Sequence, residues 1–308
     1  MNNMKQQQPV MGFLFALITA MAWGSLPIAL QRVVAVMTPQ TIVWYRFLVA
    51  ALGLFIILGL TKKLPKISQF LPRYRLLALV GVIGLAGNFV LFNTSLKYIE
   101  PSIAQIFGQL SSFTMMIFGV VFFKEKLRLN QKIGLGLLIV GLVLFFNDRF
   151  TLFFSINAYS TGIFLAASAA LIWSIYGIAQ KLMLREFNSQ QILFVIYIGC
   201  AFVFTPFAEV EQVTVLSGWT LFCFIYCCLN TLVGYGAYAE ALNRWDVSKV
   251  SVVITLMPLF TILFSYLLYL FYPQHFSKPD LNSMSYIGAF VVVLGAITSA
   301  IGHKFIKR

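Results

Sequence analysis

Polar side chains at helical spacing are the part of this sequence that could recognise a solute. They recur every three or four residues in an apolar stretch, at Ser102, Gln105, Gln109 and Ser112. This spacing puts them on one face of a helix. Such a face either lines a cavity, where amides and hydroxyls can hydrogen-bond a ligand, or packs against another helix. The two glutamines favour the cavity, because packed helices prefer smaller polar residues.

A second stripe repeats the first one later in the chain. It consists of Ser248, Ser251, Thr255 and Pro258, each 146 residues after its counterpart. The repetition predicts that the two faces confront each other across one site. Pro258 has no N–H to donate and leaves a carbonyl of the preceding turn unbonded, so a bent or broken helix is expected there.

Aromatic and amide side chains elsewhere could complete the walls of such a cavity. The candidates are Trp23, Trp173, Tyr176, Tyr235 and Tyr238, with the amides Asn88, Asn93, Asn230 and Gln180. Both tryptophans lie deeper than the interfacial belt in which Trp usually anchors a helix. Stacking surfaces with little fixed charge suit a neutral or zwitterionic solute with apolar parts. Each amide alone could equally make a structural hydrogen bond.

Two ionisable residues lie inside apolar stretches, where charges are rare and often functional. Glu240 is a candidate for proton coupling, but Arg244 follows it by four residues, which is the favourable order for a helical ion pair. Arg46 could bind a substrate carboxylate, or its long side chain could extend to the outer membrane surface. For both residues the two alternatives stay open.

The pattern of reactive residues offers no catalytic or metal site. His275 and His303 fall at the ends of apolar stretches, and the four cysteines lie inside such stretches without histidine or carboxylate neighbours, unlike zinc or disulfide patterns. No glycine run has the order of a phosphate-binding loop. We therefore expect neither an enzyme nor a bound cofactor or metal.

The composition places these side chains in a membrane. Of the 308 residues 60% are hydrophobic and 10% charged, with a mean hydropathy of +0.89, whereas soluble proteins have about 25% charged residues. Ten stretches can each cross the bilayer as a helix of about 20 residues. They cover residues 10–31, 40–60, 76–96, 101–123, 129–147, 159–181, 189–207, 218–241, 248–271 and 283–303. The predicted fold class is all-α and integral to the membrane.

Basic residues predict the orientation of these spans. The net charge is +13, and the excess lies in alternate connectors, such as those around Lys62 and Lys124. The positive-inside rule places these connectors in the cytoplasm, together with the tails at residues 1–9 and 304–308. The basic excess therefore indicates a lipid bilayer as partner and not a nucleic acid. A bacterial inner membrane is the expected location.

The two halves of the chain match each other. The residues Gly12, Ala16, Thr19 and Trp23 correspond, 150 residues later, to Gly162, Ala166, Ala169 and Trp173. Each half holds five spans, an odd number, so the second half must cross the membrane in the opposite sense. The sequence thus predicts two inverted five-helix repeats, residues 10–147 and 159–303. Transporters are commonly built in this way, with the substrate site near the midplane.

Short motifs recur along the chain in a recognisable order. They are Ala22-Trp23-Gly24, Tyr45-Arg46-Phe47, Ser95-Leu96-Lys97-Tyr98 and Lys124-Glu125-Lys126, with Pro258 in the ninth span. Together they resemble the drug/metabolite transporter superfamily, in its ten-helix branch with two EamA domains, over residues 10–302. The run Gly87-Asn88-Phe89 also looks like an uncharacterised inner-membrane group from gammaproteobacteria. The resemblance implies transport of small organic solutes such as amino acids, nucleobases or drugs.

We therefore expect a secondary transporter that exports a small organic metabolite by alternating access. It would act as a monomer or homodimer, with protons as a candidate coupling ion. A translocator of lipids or lipid-linked head groups is the alternative within the same fold. An intramembrane enzyme or a sensor is the alternative from another class, but the chain shows neither a catalytic pair at membrane depth nor a soluble output domain.

Overall fold

The structure is a computed structural model that describes residues 8–65, 71–111, 113–114, 117, 128–148, 157–184, 186–245 and 247–301. Within these residues the chain is helical and contains no strand. Ser112, a predicted site residue, lies outside the described residues. So do residues 1–7 and 302–308, which make up most of the predicted tails.

Eleven helices can be delimited in the described part of the chain. They are α1 (Pro9–Val34), α2 (Pro39–Leu60), α3 (Pro72–Ser95), α4 (Pro101–Gly108), α5 (Leu129–Phe145), α6 (Ala158–Met183), α7 (Ser189–Phe204), α8 (Gly218–Arg244), α9 (Val247–Ile254), α10 (Met257–Phe271) and α11 (Ser283–Ile301). Two 3₁₀ turns, Thr205–Phe207 and Val210–Val215, connect α7 to α8.

The helices are long and apolar enough to form a membrane bundle. Among the described residues seven segments qualify as membrane spans, namely α1, α2, α3, α6, α7, α8 and the pair α9 and α10 taken together. α5 and α11 are shorter apolar helices, and α4 is the beginning of the predicted fourth span. These elements occupy the ten predicted stretches, which confirms the all-α membrane fold.

Local signals determine where the helices begin. α1, α2, α3, α4 and α10 each have a proline in their first two positions, where a missing N–H costs no hydrogen bond. α6 and α7 begin after an asparagine cap. Asn157 accepts the N–H of Ser160 at 2.8 Å, and Asn188 accepts that of Gln191 at 2.9 Å. These caps satisfy N–H groups that the first turn leaves free.

The bundle has two ends, which we name by the position of the chain termini. The tail end carries the start of α1 and the end of α11. The far end carries the connectors that follow α1, α3, α7 and α10, together with the end of α5. Consecutive spans run in opposite directions between these two ends.

α5 and α11 cross at two glycine contacts that are copies of each other. A Cβ at Gly134 would lie 2.6 Å from the carbonyl oxygen of Gly295, and one at Gly141 would lie 2.9 Å from that of Gly288. In the repeat, Gly134 corresponds to Gly288 and Gly141 to Gly295. Exchanging the two halves of the chain therefore turns the first contact into the second. A two-fold axis between the halves produces this pattern.

The same exchange relates the other main helix pairs. α1 packs on α8, and their counterparts α6 and α3 pack on each other. Glycines allow both close contacts. A Cβ at Gly84 of α3 would lie 2.8 Å from the backbone nitrogen of Tyr176 in α6, and Gly234 of α8 lies directly against the indole of Trp23 in α1. The two halves therefore interleave and share these interfaces.

The fourth helix and its counterpart are interrupted at the same position of the repeat. α4 ends at Gly108, and Gln109 forms a turn before the chain becomes helical again. α9 ends at Ile254, and a turn at Thr255 precedes α10. Pro258 explains the second break, whereas residues 102–127 contain no proline. The eight residues of α4 separate the first break from the far end, and the eight residues of α9 separate the second break from the tail end. Each of these helices is about 12 Å long at 1.5 Å per residue.

Hydrogen bonds between the halves hold the far end together. The side-chain oxygen of Gln212 accepts the backbone N–H of Thr38 at 2.8 Å, and the hydroxyl of Thr41 accepts the N–H of Glu209 at 3.0 Å. Each bond joins the start of α2 to the connector before α8. The first five spans are thereby tied to the second five at this end.

An apolar cluster lies beneath these hydrogen bonds. Leu30 and Val33 of α1 and Ile103 and Ile106 of α4 belong to it, and all four are fully buried. These four side chains, from two different helices, therefore form part of a buried apolar layer at the far end.

Candidate functional site

A cavity of about 610 Å³ lies inside the bundle next to the two helix breaks. Eleven residues that the sequence singled out line it: Trp23, Arg46, Asn88, Asn93, Gln105, Gln109, Trp173, Tyr235, Tyr238, Ser251 and Thr255. They come from both halves of the chain. The volume falls within the roughly 300–1,000 Å³ that is typical of pockets for small molecules.

Amides from the interrupted fourth helix face this cavity. Gln105 and Gln109 both line it and are both buried, and their four-residue spacing puts them on the same helix face. Among the described residues neither amide has a hydrogen-bond partner. Thr255 reaches the cavity from the other break, although its hydroxyl donates to the carbonyl of Val252 at 2.7 Å. The two breaks therefore contribute polar groups to one space.

Aromatic rings form one wall of the cavity. The indole of Trp23 lies edge-on to Tyr235, with ring centroids 4.8 Å apart, and its centroid is 5.5 Å from that of Tyr238. Gly234 makes this arrangement possible, because a side chain there would overlap the indole nitrogen of Trp23. Trp173, the counterpart of Trp23, lines the cavity from α6.

The three predicted asparagines differ in what they do. Asn88 donates to the carbonyl of Ala169 at 2.9 Å, and Asn230 donates to that of Ala22 at 2.8 Å, so both join neighbouring helices. Asn88 also lines the cavity, while Asn230 is not among its lining residues. Asn93 lines the cavity, is 0% exposed, and has no partner for either of its amide atoms among the described residues.

Arg46 turns into the bundle. Its residue is 3% exposed and lines the cavity. The guanidinium carbon lies 4.5 Å from the ring centroid of Phe89, and Nε donates to the hydroxyl of Thr231 at 3.0 Å. Of the two alternatives left open by the sequence, extension to the outer surface is therefore wrong.

Three other predicted residues lie away from the cavity. Tyr176 is buried under Gly84 of α3, and Gln180 follows one turn later toward the tail end; neither is among the lining residues. Glu240 binds Arg244 at 2.7 Å, and its side chain is 34% exposed. The ion pair that the spacing suggested is therefore formed, and proton coupling through Glu240 stays a sequence-based prediction.

Sequence reasoning missed several lining residues. Phe89 and Phe92 of α3 line the cavity, as do Gln131 of α5 and Ser299 of α11 toward the tail end. Gln131 and Ser299 lie near the ends of α5 and α11, outside the two polar stripes that the sequence shows. A polar residue in the first or last turn of an apolar helix can indicate a cavity, but it is equally typical of a helix end that lies in water.

A second cavity of about 550 Å³ lies on the other side of α1, between α8 and α10. Its walls are mostly apolar, and the hydroxyls of Ser25 and Tyr226 share a hydrogen bond of 2.5 Å there. α10 touches α1 between the two cavities, where Thr261 donates to the carbonyl of Gly24 at 2.6 Å. This cavity is therefore separate from the central one.

The described residues contain no cluster of three or more His, Cys, Asp or Glu side chains that could hold a metal ion. The cysteines Cys200, Cys223, Cys227 and Cys228 are unpaired and buried. The described side chains that line the central cavity offer amides, hydroxyls, aromatic rings and one guanidinium.

Comparison with known proteins decides the family. The model of the EamA-like transporter family matches residues 10–147 and residues 160–301. The chain belongs to the EamA-like transporter family. It is therefore a membrane transporter, and the two matches agree with the exchanged helix contacts seen in the fold.

Similar proteins from gammaproteobacteria extend over the whole chain. An uncharacterized transporter of Haemophilus influenzae is 64% identical over 303 residues, which cover 98% of this chain and 99% of that protein. The uncharacterized inner membrane transporter YhbE of Escherichia coli is 49% identical over 303 residues, covering 98% of this chain and 94% of that protein. These matches confirm the resemblance found in the sequence and, with the apolar helices, support a multi-pass inner-membrane location.

More distant proteins also match most of the chain. A protein of Salmonella typhimurium named "Probable amino-acid metabolite efflux pump" is 21% identical over 309 residues, covering 95% of each chain. A solved crystal structure superposes with a TM-score of 0.67 at 18% identity, covering 96% of this chain and 99% of the other. At this level of identity the structural likeness concerns the fold alone.

Proposed function

We propose that this protein is a secondary transporter that exports a small organic metabolite by alternating access. One observation carries the proposal: a single cavity, lined from both halves, lies next to two helix breaks at equivalent positions of the repeat. In inverted-repeat transporters the substrate site lies between the repeats, at discontinuous helices. The boundaries that we propose for the repeats are residues 10–147 and 159–303.

The far end acts as the closed gate in this proposal. Hydrogen bonds between α2 and the connector before α8 tie the halves together there, above the apolar layer that includes Leu30 and Ile106. The cavity instead extends toward the tail end, where Gln131 and Ser299 line it. Because the repeats are inverted, exchanging their conformations would close the tail end and open the far end.

The distribution of basic residues supports a cytoplasmic tail end, with both termini inside the cell. In that orientation the conformation described here is inward-open and ready to load a solute from the cytoplasm. Export is the direction we propose. The efflux activity named for the Salmonella typhimurium protein supports it.

The lining favours an amino-acid-like solute within the broader class of small metabolites. Aromatic rings at Trp23, Trp173 and Tyr235 provide stacking surfaces, while Gln105 and Gln109 provide donors and acceptors. A solute with both a polar and an apolar part uses both kinds of surface.

Transport is tested by comparing the growth media of bacteria that overproduce the protein or lack it. We expect the concentration of at least one small metabolite in the medium to rise with overproduction and to fall with deletion, as measured by mass spectrometry. Identical media in both strains, with the protein present in the membrane, would contradict the proposal.

The inward-open orientation predicts which cysteines can be labelled from each side of the membrane. Ser251 lines the cavity, Glu186 is exposed at the tail end, and Val215 is 70% exposed at the far end. We expect a membrane-impermeant maleimide to label Val215→Cys in spheroplasts, and to label Ser251→Cys and Glu186→Cys only in inverted vesicles. The unmodified protein is the control, because its four cysteines are buried.

Two results would contradict this orientation. Labelling of Glu186→Cys and Val215→Cys from the same side would overturn the predicted topology. Labelling of Ser251→Cys in spheroplasts would show that the cavity opens toward the far end.

A further inference from the structure

We propose that Arg46 forms an anion subsite in the central cavity and that the transported solute places a carboxylate on it. This inference rests on the function proposed above, because it concerns the same cavity, and it adds the chemical class of the substrate.

Neighbouring groups hold the guanidinium of Arg46 in one orientation. Nε donates to the hydroxyl of Thr231 at 3.0 Å, and that hydroxyl donates in turn to the carbonyl of Cys227 at 3.2 Å. The ring of Phe89 lies beneath the guanidinium, and its centroid is 4.5 Å from the central carbon. A side chain that is already ordered loses little further freedom when a ligand binds, so the charge is preorganised.

In the part of the chain that the structure describes, no carboxylate pairs with the charge of Arg46. The titratable groups that face it are Cys227, Cys228, Tyr197 and Tyr235, and none of them is a carboxyl group. Among the described residues Nε is the one guanidinium nitrogen with a protein acceptor, so Nη1 and Nη2 remain available.

Arg46 is also the single charged residue among the described residues that line the cavity. An unpaired charge within a membrane bundle is costly, and such residues mark substrate pathways when they face a cavity. A ligand anion would complete the coordination of Nη1 and Nη2.

A carboxylate matches this subsite better than a phosphate. One guanidinium balances one negative charge, whereas a phosphate monoester near neutral pH would bring additional charge into a cavity with no second cation among its described lining residues. The two oxygens of a carboxylate also match the parallel N–H groups of a guanidinium.

Asn93 supplies an independent indication of a ligand. It follows Phe89 by four residues on α3, so it lies one helical turn from the ring beneath Arg46. Its amide is fully buried, lines the cavity, and has no partner for Nδ2 or Oδ1 among the described residues. A solute with an amino or hydroxyl group near its carboxylate would satisfy this amide while the carboxylate binds Arg46.

The test compares carboxylic acids with amides that have the same carbon skeleton. The probes are benzoate and benzamide, indole-3-acetate and indole-3-acetamide, and leucine and leucinamide, with chloride and inorganic phosphate as further probes. Binding to the purified full-length protein in detergent is measured by thermal shift. We expect at least one acid to bind with a Kd lower than that of its amide by ~10-fold or more, because charge-assisted bidentate pairs are the strong ones.

Variants then assign this preference to Arg46. Arg46→Gln should abolish the preference for the acid, and Arg46→Lys should retain part of it. Arg73→Gln is the matched control, because Arg73 also lies over an aromatic ring, that of Tyr74, but is exposed and does not line the cavity. The comparison of acid with amide on the unmodified protein needs no variant, so it stands even if Arg46→Gln does not fold.

The outcomes separate this proposal from the proposed function. Equal binding of acid and amide, no binding of any acid, unchanged preference in Arg46→Gln, or equal binding of chloride or phosphate would overturn the carboxylate subsite. Metabolites that depend on the protein for export but lack a carboxylate would also overturn it, and transport itself would stand. Media unaffected by the protein would instead overturn the proposed function.

Discussion

Replacing Gly141 by leucine is expected to separate α5 from α11 and to destabilise the whole bundle. A Cβ at Gly141 would lie 2.6 Å from the backbone nitrogen of Val292 and 2.9 Å from the carbonyl oxygen of Gly288. Backbone atoms cannot rotate away, so the helices must move apart. That movement strains the hydrogen bonds of the same interface, such as the one from the hydroxyl of Ser285 to the carbonyl of Phe145 at 2.8 Å.

The expected cost is that of strong overpacking, about 3 kcal/mol, which corresponds to a fall of roughly 6–10 °C in the midpoint of thermal unfolding. The measurement is unfolding of the purified protein in detergent. Gly136→Leu is the matched control on the same helix, because no atom lies within 4 Å of the Cβ that it would add. Equal midpoints for the two variants would show that the glycine contact does not hold α5 against α11.

Replacing Gln109 by leucine is expected to reduce export by about tenfold while leaving the protein folded. The amide lies at the break of the fourth helix and lines the cavity. Among the described residues it has no hydrogen-bond partner, so its loss removes no bond within the described fold. The substitution therefore removes a hydrogen bond to the solute. One such bond of about 1.4 kcal/mol corresponds to a factor of ten in binding.

The effect is measured on the metabolites whose concentration in the medium depends on the protein, at equal amounts of protein in the membrane. Gln180→Leu is the control, because it removes the same kind of amide from α6 at a position that does not line the cavity. Unchanged export by Gln109→Leu would remove this residue from the binding site. An equal loss in both variants would indicate a general effect of the substitution.

Much of the fold follows from properties that can be counted along the chain. In a bilayer the backbone N–H and C=O groups must form hydrogen bonds within each span, so a long apolar stretch is expected to be a helix. The ten stretches and the matching halves therefore predicted the bundle. The internal repeat also paired Trp23 with Trp173, and both of these side chains line the cavity.

The sequence did not predict which helix faces pack against each other. A period of 3.6 residues shows which side chains share a face, but not which other face they meet. Tyr176 and Gln180 continue the α6 pattern that includes Trp173, yet packing against Gly84 buries Tyr176 away from the cavity. Gln131 and Ser299 reach the cavity because α5 and α11 cross closely beside it.

Arg46 shows the same limit for a single side chain. The place of Arg46 within an apolar span is a property of its position along the helix, which the sequence shows directly. The direction of a long flexible side chain depends on what surrounds it. Thr231 comes from α8 and Phe89 from α3, and these helices meet Arg46 only in the folded bundle.

From the sequence alone a helical membrane bundle of two inverted repeats could be predicted, because hydropathy, charge and internal repetition are local or additive properties. The resemblance of its short motifs to a known family added transport as the expected function. The tertiary structure alone decided that the fourth helix breaks at Gln109 without a proline, that hydrogen bonds join the two halves at the far end, and that Arg46 lines the cavity. Such features depend on contacts between different helices, such as that of Arg46 in α2 with Thr231 in α8, and no local pattern encodes the geometry of those contacts.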